Sequence, residues 1–331
     1  MATYTGKKHF GGKLIYTGIG ISVGSLNYYG DLSPLPTKFS TDFKLTKPAF
    51  GISLFRRLGP RYSLMAQFMY GTLEGSDATS AKKDNLSNGI FRYDRNLSFR
   101  NRIKELSVTA VFDLFKNDET FRKRVWWTPY VFAGVAVFAH NPMAKEPATF
   151  LDGTSNPNAG KWIALQPLGT EGQYSKLKPG DVNYGIKPYS LIQVAIPIGV
   201  GARFRINDVL DLWADIGFRY TFTDYLDDVS KNYVDLNSLQ AKNKNDNKLA
   251  QAMAYRSNEV MGNPTAVTSS AHDYPATEHS GEFYTWAGYG SEGKDNIRGH
   301  ANNRDIYVVS SIKITYILKP SYFGSKRRQR K

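Results

Sequence analysis

The sequence predicts an all-β fold, an eight-stranded antiparallel transmembrane β-barrel with long extracellular loops. Eight stretches alternate apolar side chains with small or polar ones, and the gaps that join them are alternately long and short, the last being the longest. Period-two alternation is typical of strands. A tilted strand needs roughly 9 to 11 residues to cross the hydrocarbon, whereas strands of soluble proteins average about 5 or 6. We predict one barrel domain over residues 1–331 with strands at 13–26, 48–57, 62–73, 102–115, 128–140, 190–206, 209–223 and 305–318.

The clearest alternation lies between residues 192 and 222. Even-numbered positions such as Ile196 are apolar, while odd-numbered positions carry glycines and charged side chains. This pattern places one face in lipid and the other in a polar interior. The other six stretches follow the rule less cleanly, and Tyr130–His140 is apolar on both faces. A soluble barrel or sandwich is the alternative, but its apolar face would point inward and its polar face would need more Lys, Glu and Asp than these stretches carry.

Composition limits the class of protein. A length of 331 residues ordinarily suggests two domains, but barrels commonly exceed about 200 residues as one. The mean hydropathy of -0.42 and the lack of an apolar run of about 18 residues exclude a helical membrane protein. The absence of cysteine excludes disulfides and thiolate sites. Met1–Lys8 lacks the apolar segment of a secretory signal, so either a signal peptide was removed before Met1 or the outer-membrane interpretation is wrong.

Inward-facing charges predict the nature of the barrel interior. Eight strands enclose a space that side chains fill, which argues against a porin. A charge in such a lumen must be paired and hydrogen-bonded, or neutralised. We therefore expect a buried ion-pair network, in preference to a conduction or catalytic site, with these members: Glu105, Asp113, Arg203, Asp215 and Arg219.

Basic residues are concentrated at one end of the predicted barrel. Short turns of bacterial barrels face the periplasm, so we expect both termini there too. Assigned this way, and with Arg57, Arg203 and Asp211 counted in it, that rim carries the whole net charge of +14. A rim of one sign attracts an oppositely charged partner, and nucleic acid is a poor candidate in the periplasm; a merely solvated edge is the alternative. The expected contributors are Arg122, Lys123 and Arg124 in one turn and, in the tail 319–331, Lys326, Arg327, Arg328, Arg330 and Lys331.

The four long gaps, at residues 27–47, 74–96, 141–189 and 224–304, are expected to face the outside of the cell. Long loops without periodicity are either functional or disordered, and the sequence does not choose between these. The last loop does contain the helix-compatible stretch Leu249–Tyr255.

Indications of an enzyme or a metal site are weak. The glycines of Gly18–Gly24 are spaced one residue too far apart for the dinucleotide fingerprint and lie within a strand. The histidines lack metal spacing, and His272 with His279 is only a weak candidate. We therefore expect no catalytic residue, cofactor or metal ion. Three acidic residues that could hold Ca²⁺ fit better as turn formers: Asp224, Asp227 and Asp228.

Several strings resemble the Bacteroidota outer-membrane barrels related to PorG of the type IX secretion system. They are YYGDLSP (28–34), RNLSFRN (95–101) followed by IKEL, PYVFAGVAVF (129–138), LQPLGTEGQ (165–173) and TFTDYLDDVS (221–230). The resemblance covers most of the chain except much of 231–298. It implies a structural outer-membrane component that attaches a periplasmic ring, formed by a lipoprotein and its partner, to the membrane. The alternatives are a cell-surface binding or adhesion barrel that acts through its extracellular loops, and a lipid-modifying enzyme.

Overall fold

Twelve strands are present in a computed structural model, which describes residues 15–33, 43–81, 89–261, 266–267, 283–284, 297–301 and 304–318. In chain order they are β1 (Thr17–Tyr29), β2 (Lys47–Arg57), β3 (Tyr62–Ser76), β4 (Ser98–Asp113), β5 (Trp127–Ala139), β6 (Pro142–Lys145), β7 (Trp162–Ala164), β8 (Ile192–Arg205), β9 (Leu210–Thr221), β10 (Ala266–Val267), β11 (Phe283–Tyr284) and β12 (Ile306–Leu318).

The eight long strands close into a barrel. Their order is β3-β2-β1-β12-β9-β8-β5-β4, and β3 pairs with β4 to complete the ring. Each pair is antiparallel, and the first long strand meets the last, with Thr17 opposite Leu318. Closure leaves no free edge, which satisfies the backbone polar groups of every strand internally. The predicted fold class is confirmed.

Strand boundaries differ from the predicted ones mainly at the end of the barrel that carries the long connections, which we call the loop end. The predicted strand 13–26 runs from Thr17 to Tyr29, the strand 62–73 continues to Ser76, and the strand 102–115 begins at Ser98. These extensions continue beyond the apolar belt, where the outward positions are no longer hydrophobic and periodicity gives no indication. The ambiguous stretch 130–140 is strand β5, with alternate residues from Tyr130 to Phe138 turned inward.

The barrel is apolar outside. Outward residues such as Ile21, Ile52 and Ile196 are 68%, 61% and 37% exposed, whereas the inward Ala195 is only 2% exposed. Inside, near the opposite end, which we call the turn end, an apolar cluster surrounds the fully buried Trp213. An apolar exterior around a largely polar interior is the reverse of a soluble barrel.

The long connections fold over the loop end as an ordered layer, which we call the cap (30–33, 77–81, 89–97, 141–189, 223–261 and 297–301). Short strands β6 and β7 extend the sheet beyond β4, and a helix, Asn247–Ala254, covers most of the helix-compatible stretch 249–255. Buried cap side chains such as Leu226, Tyr233 and Met253 share one core with barrel residues. The other helices are Asp77–Ser80, Gly89–Arg95 and Asn258–Met261. No helix in the described part of the chain is long and apolar enough to cross a membrane.

We predict that Ile196→Arg destabilises the folded protein, because a cation placed in the apolar belt costs roughly 2 to 4 kcal/mol near the bilayer midplane. Ile196→Leu keeps the outer face apolar and serves as the matched control. The measurement is the folded fraction in lipid bilayers, read from the heat-dependent gel shift across a urea series. Equal stability of the two variants would show that this face does not meet lipid.

Candidate functional site

Asp113 organises one group of charges inside the barrel, near the turn end. Its Oδ2 accepts hydrogen bonds from Arg57 and from Nη2 of Arg203, the latter at 2.6 Å. The three side chains are at most 3% exposed. Arg57 also donates to the carbonyl of Pro60, and the guanidinium carbon of Arg203 lies 4.9 Å from the ring centre of Trp213. One carboxylate thus holds two buried cations.

Glu105 forms a second group, further toward the loop end. Nε of Arg219 lies 3.2 Å from Oε2 and 3.3 Å from Oε1. The hydroxyl of Tyr307 donates to Oε2 at 2.6 Å. The carboxylate is therefore both paired in charge and hydrogen-bonded, as a buried ion requires.

Asp215 forms a third group between the other two. The hydroxyls of Tyr130 and Ser311 donate to its two oxygens, each at 2.8 Å, and Nζ of Lys313 lies 3.6 Å from Oδ2. The structure thus places the five predicted lumen residues in three ion-pair groups. Sequence reasoning assigned Arg57 to the rim and missed it as a partner of Asp113. The alternation of inward and outward residues along β2 indicates its position, because Arg57 is the last inward residue of that strand.

The lumen is closed. Between these groups a cavity of about 20 Å³ remains, lined by residues that include Gln67, Thr109 and Phe132. This is room for about one water molecule. Among the described residues, the charged groups of the lumen therefore enclose a cavity too small for a solute.

Arg124 closes the turn end from within. Its Nε and Nη2 bind the Asp211 carboxylate at 3.0 and 2.7 Å, and its remaining N–H groups donate to backbone carbonyls of residues 121, 207, 208 and 210. The side chain is 2% exposed. The prediction that Arg124 belongs to a partner-binding rim is therefore wrong, because its donors are already bound within the protein.

The two neighbouring cations, Arg122 and Lys123, do face outward. They belong to the 3-10 turn Phe121–Lys123, which with Arg124 we call the turn tip. On one side the ring of Phe121 packs 6.4 Å from the ring of Tyr16, within the apolar cluster. On the other side Arg124 is held by Asp211. The tip is thus fixed at both ends while two cations project from it.

The rim charge is smaller than predicted. Arg57, Arg203 and Asp211 lie in the lumen. The rim residues among those described leave a net charge of +3. The tail residues Lys326, Arg327, Arg328, Arg330 and Lys331 lie outside the described residues, as do the N-terminal Lys7, Lys8 and Lys13. The described rim comprises Arg56, Arg61, Lys116, Arg122, Lys123 and Arg205 with Asp118, Glu119 and Asp208.

Buried ion pairs hold the cap together. Arg298 donates to Glu171 Oε1 at 2.9 Å, and that oxygen also accepts the backbone N–H groups of residues 230 and 231 at 2.9 and 3.0 Å. The carbonyl of Arg298 accepts a hydrogen bond from Arg95, whose Nε binds Asp77 at 2.7 Å. The backbone N–H of His300 donates to Asp31 at 3.0 Å. All four long connections meet in this network.

A tyrosine between two carboxyl groups joins the cap to the barrel. The hydroxyl oxygen of Tyr28 lies 2.6 Å from Asp227 Oδ2 and 2.8 Å from Asp305 Oδ1. The other carboxyl oxygens accept backbone N–H groups of Val229 and Leu226, at 2.9 and 2.8 Å. A phenol has one proton and can donate to one carboxylate only, so the second contact requires a proton on one of the carboxyl groups.

Burial raises the pKa values of the cap carboxyl groups. Desolvation, reinforced by Asp31, raises the pKa of Asp227 well above its usual range, and desolvation, reinforced by Asp227, does the same for Asp305. Desolvation also raises the pKa of Asp224 to about 8 and that of Asp228 to about 6, the latter opposed by Arg298. The protonated form is therefore favoured near neutral pH for Asp224, Asp227 and Asp305, whereas Asp228 is mostly ionised at pH 7.

The acidic residues singled out in the sequence do not form a metal site. Within the described ranges no group of three or more His, Asp or Glu side chains is arranged to hold a metal ion. Asp228 adopts a left-handed φ of 69°, as a turn former does. His272 and His279 lie outside the described residues.

The closed ring, the apolar exterior and the paired charges inside define the class of protein: an eight-stranded barrel of the bacterial outer-membrane type. Residues 13–155 match a family described as a domain of unknown function, DUF6089. No curated protein matches the chain.

Similar solved structures are outer-membrane or surface proteins. Neisserial surface protein A is 7% identical, with a TM-score of 0.32, over 92% of this chain and 97% of that one. A major outer membrane protein from Thermus thermophilus is 10% identical, with a TM-score of 0.35, over 91% and 99%. Ail, the attachment invasion locus protein of Yersinia pestis, solved with the heparin analogue sucrose octasulfate, is 8% identical, with a TM-score of 0.30, over 62% and 87%. At these scores the likeness carries no functional argument.

We predict that Asp113→Ala is strongly destabilising, because it leaves two buried guanidinium groups without their shared carboxylate. Breaking a buried pair costs about 3 to 5 kcal/mol. Asp208→Ala, at an exposed turn position on the same end, is the control and should be nearly neutral. Urea midpoints in detergent measure both. A midpoint for Asp113→Ala equal to that of the control would show that the lumen charges are solvated.

We predict that the cap loosens as pH rises. Its carboxyl groups hold protons that unfolded carboxyl groups, with pKa about 3.9, release, so stability falls from about pH 4 up to the raised pKa values, about 6 for Asp228 and about 8 for Asp224. Hydrogen exchange of the amides of residues 226–229, corrected for intrinsic rates, should accelerate between pH 5 and 8.5.

Asp227→Asn keeps a hydrogen-bonding group at Tyr28 without a charge and should reduce this acceleration. The exposed Asp208→Asn should leave it unchanged. An acceleration of the same size in Asp227→Asn and the parent protein would mean that the protonated carboxyl group does not hold the cap.

Proposed function

We propose that this chain is a structural outer-membrane component of a protein secretion apparatus, PorG-like in the sense of the type IX system, and that it attaches a periplasmic ring to the membrane. The turn tip is the observation that carries this proposal. It presents Arg122 and Lys123 from a backbone anchored on both sides by Phe121 and Arg124. Two exposed cations on an anchored turn, at the end of a barrel whose lumen is filled, suit a binding site for a partner protein and do not suit a channel.

The closed lumen supports a scaffold role. Substrates of a secretion apparatus cannot pass through an interior with a free cavity of about 20 Å³, so a role in secretion has to be exercised through the barrel's surfaces. The proposal places the turn end in the periplasm, with both termini, and the cap outside the cell. The +3 of the described rim, with the basic tail that follows β12, then faces an acidic periplasmic partner such as the ring lipoprotein.

A second candidate function is surface binding through the cap. The observation that favours it is the order of the cap, whose four connections are tied together by Arg298, Arg95 and Asp31 around a shared apolar core. A rigid outer surface suits recognition of a ligand outside the cell. This candidate predicts that binding depends on the cap and is indifferent to the turn tip.

We predict that Arg122→Ser with Lys123→Ser weakens recovery of periplasmic partners in mild detergent. Exposed pairs contribute about 0 to 1 kcal/mol each, so removing two cations should weaken binding by at most roughly 30-fold at low salt. The difference from the parent should shrink at raised ionic strength, because salt screens the same exposed charges in the parent. Replacing the tail cations Lys326, Arg327, Arg328, Arg330 and Lys331 as well should deepen the loss and impair export of secreted cargo.

Arg102→Ser with Lys104→Ser removes the same charge from exposed positions at the loop end and is the matched control. The native chain has no cysteine, so single cysteines report orientation cleanly. Asn158→Cys in the cap should react with an impermeant maleimide on whole cells, and Asn207→Cys at the turn end only after the outer membrane is opened. Parental partner recovery and export by the variant that lacks both the turn-tip and the tail cations would refute the attachment role.

A further inference from the structure

The outward face of β4 changes character along its length. Alternation is unbroken from Ser98 to Asp113, so every second residue lies on the outside of the barrel. From the turn end toward the loop end, the outward residues are first apolar and then basic: Phe112, Ala110, Val108 and Leu106, followed by Lys104, Arg102 and Arg100. Three successive outward positions therefore carry positive charge.

The basic positions begin where the apolar belt ends. Leu106 is 59% exposed in that belt, and Lys104, two residues further along, is flanked by Tyr70 on β3 and Ala139 at the end of β5. A strand rises about 3.3 Å per residue, so Lys104 and Arg102 stand roughly 7 and 13 Å along the strand beyond Leu106. Aromatic and basic residues at such a boundary lie at the level of lipid headgroups.

These cations are not neutralised by the part of the protein that the structure describes. Neither Lys104 nor Arg102, both exposed, has a salt bridge to a described residue. Glu74, the acidic residue opposite Arg100 in the β3–β4 register, is bound instead to Lys47 at 2.9 Å. Arg102 and Lys104 are therefore available to an anion from outside the chain.

Arg100 is held in place by the aromatic ring of Trp162 on β7. Its guanidinium carbon lies 3.7 Å from the ring centre, and Nζ of Lys145 lies 5.7 Å from the same centre. The β6–β7 extension of the sheet thus adds a fourth cation beside the three on β4. Cations gathered on an aromatic platform at the membrane boundary raise the local positive potential.

An apolar groove runs across the outer wall directly below. Its volume is about 650 Å³, and its lining includes Ile52, Leu54, Ala66, Phe68 and Leu106. Ala66 is the small residue among these larger side chains. Leu106 belongs to the groove and is the outward neighbour of Lys104 on β4, so the groove leads up to the basic positions.

We propose that this face binds a phosphorylated glycolipid of the outer leaflet, with a phosphate held by Arg102 and Lys104 and an acyl chain in the groove. Arginine and lysine side chains are suited to phosphate oxygens, and the groove suits a hydrocarbon chain. Zwitterionic phospholipid, whose own cation offsets its phosphate, fits this cluster of positive charge less well. The inference rests on the proposed orientation, with the loop end outward.

The test uses the full chain in nanodiscs, titrated separately with bisphosphorylated lipid A, with dephosphorylated lipid A and with phosphatidylglycerol. Each Lys or Arg near an anionic headgroup contributes about fivefold in affinity. Arg102→Ser with Lys104→Ser should therefore bind bisphosphorylated lipid A roughly 10- to 30-fold more weakly than the parent. The control, Lys242→Ser with Lys244→Ser, removes two exposed cations of the cap and should bind as the parent does, and the parent should bind the other two lipids weakly.

A second variant tests the groove without changing charge. Ala66→Leu fills it from an outward, lipid-facing position and should also weaken binding of lipid A. Parental affinity in the Arg102 and Lys104 variant, an equal loss in the control, or equal affinity for phosphatidylglycerol would each overturn the proposal. Nanodiscs expose both faces, so this result does not depend on orientation, which the cysteine labelling reports separately.

Discussion

Closure of eight strands around a space about one side chain wide is the constraint on which the other features depend. Backbone polar groups facing lipid can be satisfied only by a ring without edges, and a ring of this size cannot keep its interior wet. Every inward side chain must therefore pack or pair. Asp113 meets this requirement by serving two arginines at once, with Arg203 2.6 Å away, and Glu105 does so with Arg219 and the hydroxyl of Tyr307, the latter at 2.6 Å.

The same constraint confines function to the outside of the molecule. Arg124 seals one end and the cap covers the other, so the described residues offer three surfaces for interaction: the turn tip, the outer wall and the cap. They differ in chemistry. The tip offers two cations on a fixed backbone, the wall joins a groove to basic side chains beside Trp162, and the cap carries carboxyl groups that retain protons.

Periodicity explains which parts of this arrangement could be predicted. Within strands, sequence parity alone assigns each side chain to a face, and so Ile196 and Ala195 could be separated correctly, as could Arg57 had the alternation been followed to the end of β2. In the turns no such rule exists. Arg122 and Arg124 stand in one basic run, yet Arg122 is exposed and Arg124 is buried against Asp211. In a turn, the path of the backbone determines which side chains are buried.

The cap could not be predicted for a related reason. Its core joins residues far apart in the chain, and the ion pair of Arg298 with Glu171 spans 127 positions. No local pattern indicates such a contact. The basic positions on β4 are different, because the alternation of the sequence does predict that they face outward. Their position relative to the membrane depends on where the apolar belt ends, and this is known only once neighbouring strands are placed side by side.

The pairing of Thr17 with Leu318 has a consequence for biogenesis. The ring closes where the first barrel strand meets the last, so an incomplete chain, however far translated, is an open sheet with two unpaired borders. Such borders recruit other chains, and contacts this distant in sequence form slowly. The sheet therefore keeps two unpaired borders until its last strand, β12, pairs with β1, and that pairing removes both borders at once.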